Sequence, residues 1–249
     1  MIYWVWLKNI HGIGPHTQRK LLEKFGGARD VFYASYGELL EAGFSERKAK
    51  AIDEAKDLSE AGNVITACER LGIGIINLSQ EGFPERMRRN PDSPILLYYK
   101  GTLFEPGKTA GIVGPRKCTQ ETKGKVIDLT TRCILEGRAV ISGMARGVDG
   151  YAHTAAIKNN GKTIAVVGNG LDICFPKEHE TLYQAIQNAG CVISEYEPGV
   201  PALKQHFPRR NALIAALSDC LYIVDAGRNS GALITGQYAE KYGKNVYYP

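Results

Sequence analysis

The chain has 249 residues, enough for one large domain or two unequal ones, since domains commonly run to about 100–200 residues. A hydrophobic share of 44% and a charged share of 23% are those of a folded globular protein, which sets aside a disordered chain, and no apolar run approaches the roughly 18 residues of a spanning helix. The net charge of +5 permits an anionic partner without demanding one.

Up to about Gly62 apolar residues fall near helical spacing, among them Leu21, Leu22 and Phe25, then Leu39, Leu40, Ala49 and Ile52. Residues 1–62 are therefore expected to form a small all-α domain. Within it, Ile10-His11-Gly12-Ile13-Gly14-Pro15 separates two helical stretches: the glycines allow a tight turn and Pro15 suits the first turn of the next helix. The segment resembles a helix-hairpin-helix, or SAM-like, turn, in which backbone N–H groups and a helix N-terminus approach a phosphate. A sharp turn that only packs on its neighbour is the other reading. The second half, Leu40 to Ala55, holds Gly43 and the basic Arg47, Lys48 and Lys50 but no matching Gly-x-Gly.

Beyond Gly62 the rhythm changes. Short apolar runs at Ile73–Leu78, Ile95–Tyr99, Ala110–Val113, Ala139–Ile141, Thr163–Val167, Val192–Ile193, Cys220–Val224 and Asn245–Tyr248 alternate with longer helical segments. Alternation of this kind predicts βαβ units, so residues 63–249 are expected to form an α/β domain, an extended Rossmann-like, mainly parallel sheet with helices on both faces. The segment from Glu81 to Pro94, rich in proline and arginine, is expected to wrap the surface, and Gly101–Lys108 to turn before the first strand of the main sheet. The six cysteines, Cys68, Cys118, Cys133, Cys174, Cys191 and Cys220, show no CxxC spacing, so no metal site is expected and the cytoplasm is the expected compartment.

Open α/β sheets bind ligands beyond the carboxyl ends of their strands, where loops and helix N-termini offer N–H donors to anions. Four such ends here carry glycine and small polar residues, most with arginine: Gly114-Pro115-Arg116, Ser142-Gly143-Met144-Ala145-Arg146, Gly168-Asn169-Gly170, and Asp225-Ala226-Gly227-Arg228-Asn229-Ser230-Gly231. One glycine at a β-to-α turn is needed merely to make the turn, but four loops on one sheet edge form a continuous rim of donors. No Gly-x-Gly-x-x-Gly follows the first strand of the main sheet, so NAD is not expected, nor is any other cofactor. A further element, Lys204-Gln205-His206-Phe207-Pro208-Arg209-Arg210-Asn211, places cations, one aromatic ring and one amide at a helix N-terminus, the clamp and stacking platform that single strands require. A core Phe207 beside solvated arginines is the alternative.

The series Gly114-Pro115-Arg116, Ser142 to Asp149, His153, Gly168 to Asp172, Pro176, Ser194-Glu195-Tyr196, His206 to Asn211 and Ser230 to Thr235 resembles the DNA-processing protein A family (DprA/Smf). The resemblance runs from about Ile73 to Pro249. It implies an extended Rossmann domain that binds single-stranded DNA, forms a homodimer and hands the strand to the RecA recombinase in natural transformation. Carried over by position, it implies Arg116, the Ser142-Gly143 turn, the Gly168–Gly170 loop, Lys204, Phe207 and Arg210 as contacts. Pro115 departs from the family pattern, which commonly has Ser there. It removes a hydroxyl and an N–H from the anion site.

An enzymatic alternative comes from phosphoribohydrolases of the lysine-decarboxylase-like group, whose motif needs a glutamate three positions after the residue matching Thr235. Tyr238 stands there instead. General acid–base chemistry needs a positioned titratable group, and Asp149, His153, Asp172 and Glu195 form no recognisable pair in the sequence. Asp149 is expected to cap a helix and His153 to pack beside it. The chain is thus read as a binder rather than an enzyme, with a small-nucleotide sensor as a third possibility.

Overall fold

The computed structural model describes residues 1–227 and 230–249. The chain opens with helices α1 (Ile2–Asn9), α2 (Pro15–Phe25), α3 (Ala28–Tyr33), α4 (Tyr36–Glu41), α5 (Glu46–Glu54) and α6 (Ser59–Arg70). Pro15 occupies the first position of α2, where a missing N–H costs nothing. The turn between α1 and α2 is locked by Gln18, whose amide donates to the carbonyls of Leu7, Lys8 and Ile13 at 3.2, 3.0 and 2.7 Å. Helix α6 runs through residue 62, so the passage from helix to sheet falls after Arg70.

The strands follow as β1 (Gly74–Asn77), β2 (Leu96–Gly101), β3 (Lys108–Val113), β4 (Arg138–Ser142), β5 (Thr163–Val167), β6 (Cys191–Ser194), β7 (Cys220–Ile223) and β8 (Asn245–Tyr247). Helix α7 (Glu85–Arg89) lies between β1 and β2; α8 (Gln120–Leu135), α9 (Val148–Lys158), α10 (Glu180–Ala189), α11 (His206–Leu217) and α12 (Gly231–Lys241) connect the later strands in turn. Together the strands form one 8-stranded sheet in the order β1-β2-β6-β5-β4-β3-β7-β8. Strands β3 to β8 pair in parallel, and β1 and β2 add an antiparallel edge.

Alternation along the strands divides the interior into two faces. In β5, Ile164 and Val166 join the core beneath α7, α11 and α12, whereas Ala165 and Val167 join the opposite cluster. That second cluster also holds Leu96 and Tyr98 of β2, Tyr183 and Ile186 of α10, and the apolar residues of the amino-terminal helices, including Val5, Leu7 and Leu21. Helices α8 and α9 cover the same face over β3 and β4. Because β5 is covered on both sides, it reads as an unbroken apolar run rather than an alternating one.

The chain order matters for function. From β3 the sheet grows in one direction through β4, β5 and β6, then returns to the far side of β3 with β7 and β8. The connections leave β3 and β7 on opposite faces, which opens a crevice at their carboxyl ends, the position where doubly wound sheets bind ligands.

Leu7, fully buried in the cluster that the helices share with the sheet, tests that common core. Leu7→Ala is expected to lower unfolding free energy by about 2–5 kcal/mol. A denaturant midpoint unchanged from the parent would show that the helical layer contributes nothing to the folded core.

Candidate nucleic-acid interface

Gly114 follows β3 at the crevice, and a Cβ there would stand 2.6 Å from both a Val148 methyl and the Val224 carbonyl, so only glycine lets the loop pass. Next along the rim, Gly147 combines a φ of +74° with a virtual Cβ 2.3 Å from the Pro115 carbonyl oxygen. The N–H of Val148 donates to that same oxygen at 3.2 Å, tying the loop after β3 to the start of α9. Pro115 thus contributes through its carbonyl, the one backbone polar group a proline retains.

Gly143 has a different reason. A Cβ on residue 143 would lie 1.0 Å from Nη1 of Arg210, so the guanidinium occupies the space of the missing side chain. Arg210 is 5% exposed, and its Nη1 stands 3.5 Å from Oδ2 of Asp149, itself 5% exposed in the first turn of α9. Asp149 also accepts the Ala145 N–H at 3.3 Å, holding the loop after β4. Burial pushes the Asp149 carboxyl up, with Arg210 opposing the shift, and pushes the Arg210 guanidinium down, with Asp149 opposing. Among the described residues Nε of Arg210 has no hydrogen-bond partner. The pair is therefore under-satisfied on the arginine side.

Two cavities meet at this guanidinium. One, of about 290 Å³, lies between the loop after β3 and the start of α12, lined among others by Gly114, Arg116, Asn211, Ser230 and Gly231. The other, of about 550 Å³, lies toward β5 and is lined among others by Gly143, Arg146, Gly168, Asn169, Phe175 and Lys177. Arg116, Ala145, Phe207 and Arg210 line both, so the two form one trough along the strand ends. Phe207 is half-buried at the junction, its ring 5.5 Å from the guanidinium carbon of Arg116, 5.6 Å from that of Arg210 and 6.1 Å from the ring of Phe175. The ring is part of the trough wall, and cation–π contacts hold two positive charges beside it.

Not every residue expected at the rim reaches the trough. Ser142 is fully buried and its Oγ donates to the Ile112 carbonyl at 2.6 Å, within the sheet. Gly170 is buried against the backbone of Glu197 and Gly199, where a Cβ would collide. Arg209 lines neither cavity: its Nε donates to Glu195 at 2.8 Å, on a side of α11 different from that of Arg210. Lys204 is exposed and likewise lines neither cavity. Asn169 is buried and spends its amide on the carbonyls of Gly170 and Ile173, while Asn211 donates to the Gly231 carbonyl at 3.2 Å. Ser230 caps α12 by accepting the Ala232 N–H at 3.2 Å. Arg146 pairs with Glu178 at the outer lip. Arg228 and Asn229, also expected on this rim, lie outside the described residues.

Sequence reading missed Lys117, Phe175 and Lys177. The signal for the last two was an exposed aromatic beside lysine in Cys174-Phe175-Pro176-Lys177, a segment that belongs to no strand. Among the described residues no group of three or more His, Cys, Asp and Glu converges as a metal site. No helix among them is long and apolar enough to cross a membrane.

A doubly wound α/β protein with a cationic, aromatic-walled trough at its switch point is thus defined by fold and geometry. Residues 74–249 match the family model described as DNA recombination-mediator protein A, and the chain belongs to that family. Protein Smf of Synechocystis is 29% identical over 98% of this chain and 63% of its own length. The DNA processing protein DprA of Streptococcus pneumoniae is 41% identical over 63% of this chain and 55% of its own length. The chain thus spans under two thirds of these relatives. The crystal structure of DNA processing protein A from S. pneumoniae superposes with a TM-score of 0.84 at 29% identity, covering 100% of this chain and 86% of that one. A structure of the Helicobacter pylori protein, concerned with its single-stranded DNA binding mode, superposes with a TM-score of 0.64 at 30% identity over 71% of this chain and 80% of that one.

His153, beneath the trough on α9, is fully buried and shares a 2.7 Å hydrogen bond with the Thr163 hydroxyl. That hydroxyl donates to the Val140 carbonyl, so it accepts from Nδ1, and with Nε2 buried and without a partner among the described residues the ring is held neutral. Burial lowers its pKa to about 3, against about 6.5 for an unfolded histidine. Protons therefore favour the unfolded chain between those values, and stability present above about pH 6.5 is lost as pH falls through the window. His153→Gln is expected to flatten the fall in Tm between neutral and acid pH. Parallel Tm profiles for parent and variant would remove His153 as the cause.

Proposed function

We propose that the trough binds single-stranded DNA with little sequence preference and holds it in preference to duplex. The observation that carries this reading is Phe207, a half-buried ring at the meeting of two cavities with guanidinium groups at 5.5 and 5.6 Å. A stacking surface set among phosphate-binding cations suits a strand whose bases are unpaired, since every base offers a face while phosphates supply most of the affinity. Gly114, Arg116, Arg146, Gly168, Asn169, Asn211, Ser230 and Gly231 are the proposed wall of that site, with Gly143 and Arg210 as its floor. Lys204 is proposed to reach the strand from outside. Ser142, Gly170 and Arg209 are assigned to holding the loops in shape. The single-stranded DNA binding mode described for the H. pylori protein supports the same reading.

The family's description as a recombination mediator supports a further step, in which the bound strand is delivered to the RecA recombinase during natural transformation, with the protein acting as a cytoplasmic homodimer. A binding role rather than an enzymatic one is proposed because both carboxylates among the trough's described lining residues are paired with arginine, Asp149 with Arg210 and the Ala145 N–H, and Glu178 with Arg146.

The test separates charge from stacking. Arg116→Ala is expected to weaken binding of oligothymidylate and to flatten its salt dependence by about 0.7 log units, one single-strand phosphate contact. Phe207→Ala should cost on the order of 1–3 kcal/mol with little change in slope. Because Arg116 rests on the Phe207 ring, the double variant should lose less than the sum of the single losses. Arg210→Ala is a poor substitute for Arg116→Ala, since it leaves Asp149 buried without its partner. Equal affinity for a matched duplex at the same salt would overturn the proposal.

A further inference from the structure

A groove of about 470 Å³ runs between α9 and α10. It shares Glu178 with the larger cavity of the trough, so the two hollows adjoin at one residue. The ridge between them is the Arg146–Glu178 pair, whose side chains are 63% and 47% exposed. An ion pair so exposed holds its partners weakly and exchanges readily for another anion. From that ridge the groove follows α9 past Gly150 and Thr154 to Lys158, and its other wall is formed by Leu182 and Ala185 of α10. Tyr151, on the α9 wall, carries the Lys123 ammonium 5.3 Å from its ring centroid.

Charge and length select the occupant. Lys158 lines the groove, Arg146 stands on the ridge at its entrance and Lys123 sits over the Tyr151 ring, and Glu178 is the carboxylate among the groove's described lining residues. The 11 residues of α9 extend about 16 Å, longer than a mononucleotide needs. Glycine and threonine on α9 keep the floor open, and Tyr151 presents an aromatic surface beside a cation, as single-strand grooves do. We propose that this groove is a second strand-binding surface, taking the stretch of single-stranded DNA that runs out of the trough across the Arg146–Glu178 pair. As the strand crosses, Arg146 exchanges Glu178 for a phosphate. The proposal rests on the DNA-binding reading of the trough.

A ladder of oligothymidylates of increasing length, titrated at fixed salt against the parent, Thr154→Glu and Lys158→Ala, tests it. Thr154 is half-exposed on the helix surface and outside the trough, so a carboxylate there places repulsion in the groove without touching the first site. The parent is expected to gain affinity as the oligomer grows long enough to enter the groove. Thr154→Glu should lose roughly tenfold on the long oligomers, and Lys158→Ala a smaller factor, while both hold the short ones as tightly as the parent does. Retained short-oligomer binding also reports that the variants are folded. If both variants hold long oligomers as tightly as the parent, the groove proposal falls while the trough reading stands. If the parent binds no oligomer of any length, the trough reading itself falls and takes the groove with it.

Discussion

The guanidinium of Arg210 lies where a side chain on residue 143 would be, and it reaches Asp149 at 3.5 Å through that gap. This buried pair joins α11, which follows β6, to the loop after β4 and the first turn of α9. Burying two charges is costly unless each is well paired. Asp149 is satisfied by an arginine and a backbone N–H, whereas Arg210 keeps an unpaired Nε. The pair is neutral overall, so the positive character of the cleft comes from Arg116, Lys117 and Lys177 on its lining, and the pair's part is to hold the loops that carry them in place.

The switch in strand order turns that pair into a site. With β7 returning beside β3, the loop after β3 and the start of α12 face each other across a crevice, and α11 supplies Phe207 and Arg210 to its lining. The proposed selectivity for a single strand rests on the junction of the two cavities, where an aromatic wall and guanidinium groups lie 5.5 and 5.6 Å apart. A duplex, with its bases stacked inside, would present phosphates to the arginines and nothing to the ring.

The amino-terminal helices bear on this indirectly. They complete the core on the face that carries α9 and α10, and Met144, in the loop after β4, is fully buried in the same cluster. Its φ of 59° is a left-handed conformation that a non-glycine residue adopts only where the surroundings hold it. Met144 thus belongs to the core that the helical layer completes, and its neighbours Gly143 and Ala145 line the trough.

Strand positions, the parallel character of the sheet and the rim of glycine-bearing loops were legible in the amino-acid sequence, because each is a local property: apolar runs of strand length separated by turn residues, and a family series in matching order. What each rim residue does was not. Adjacent residues on a helix point about 100° apart, so Arg209 and Arg210 read alike yet one faces Glu195 and the other the trough. Ser142 and Gly143 are likewise neighbours, but strand alternation turns the hydroxyl of Ser142 into the sheet. Gly143 reads as a turn glycine until the distant arginine that fills its place is seen. Phe175 enters the site from a loop after β5, and no spacing in the chain connects it to Phe207. Local pattern determined the scaffold; which side chains share one cavity depended on contacts between segments far apart in the chain, and only the packed tertiary structure decides those.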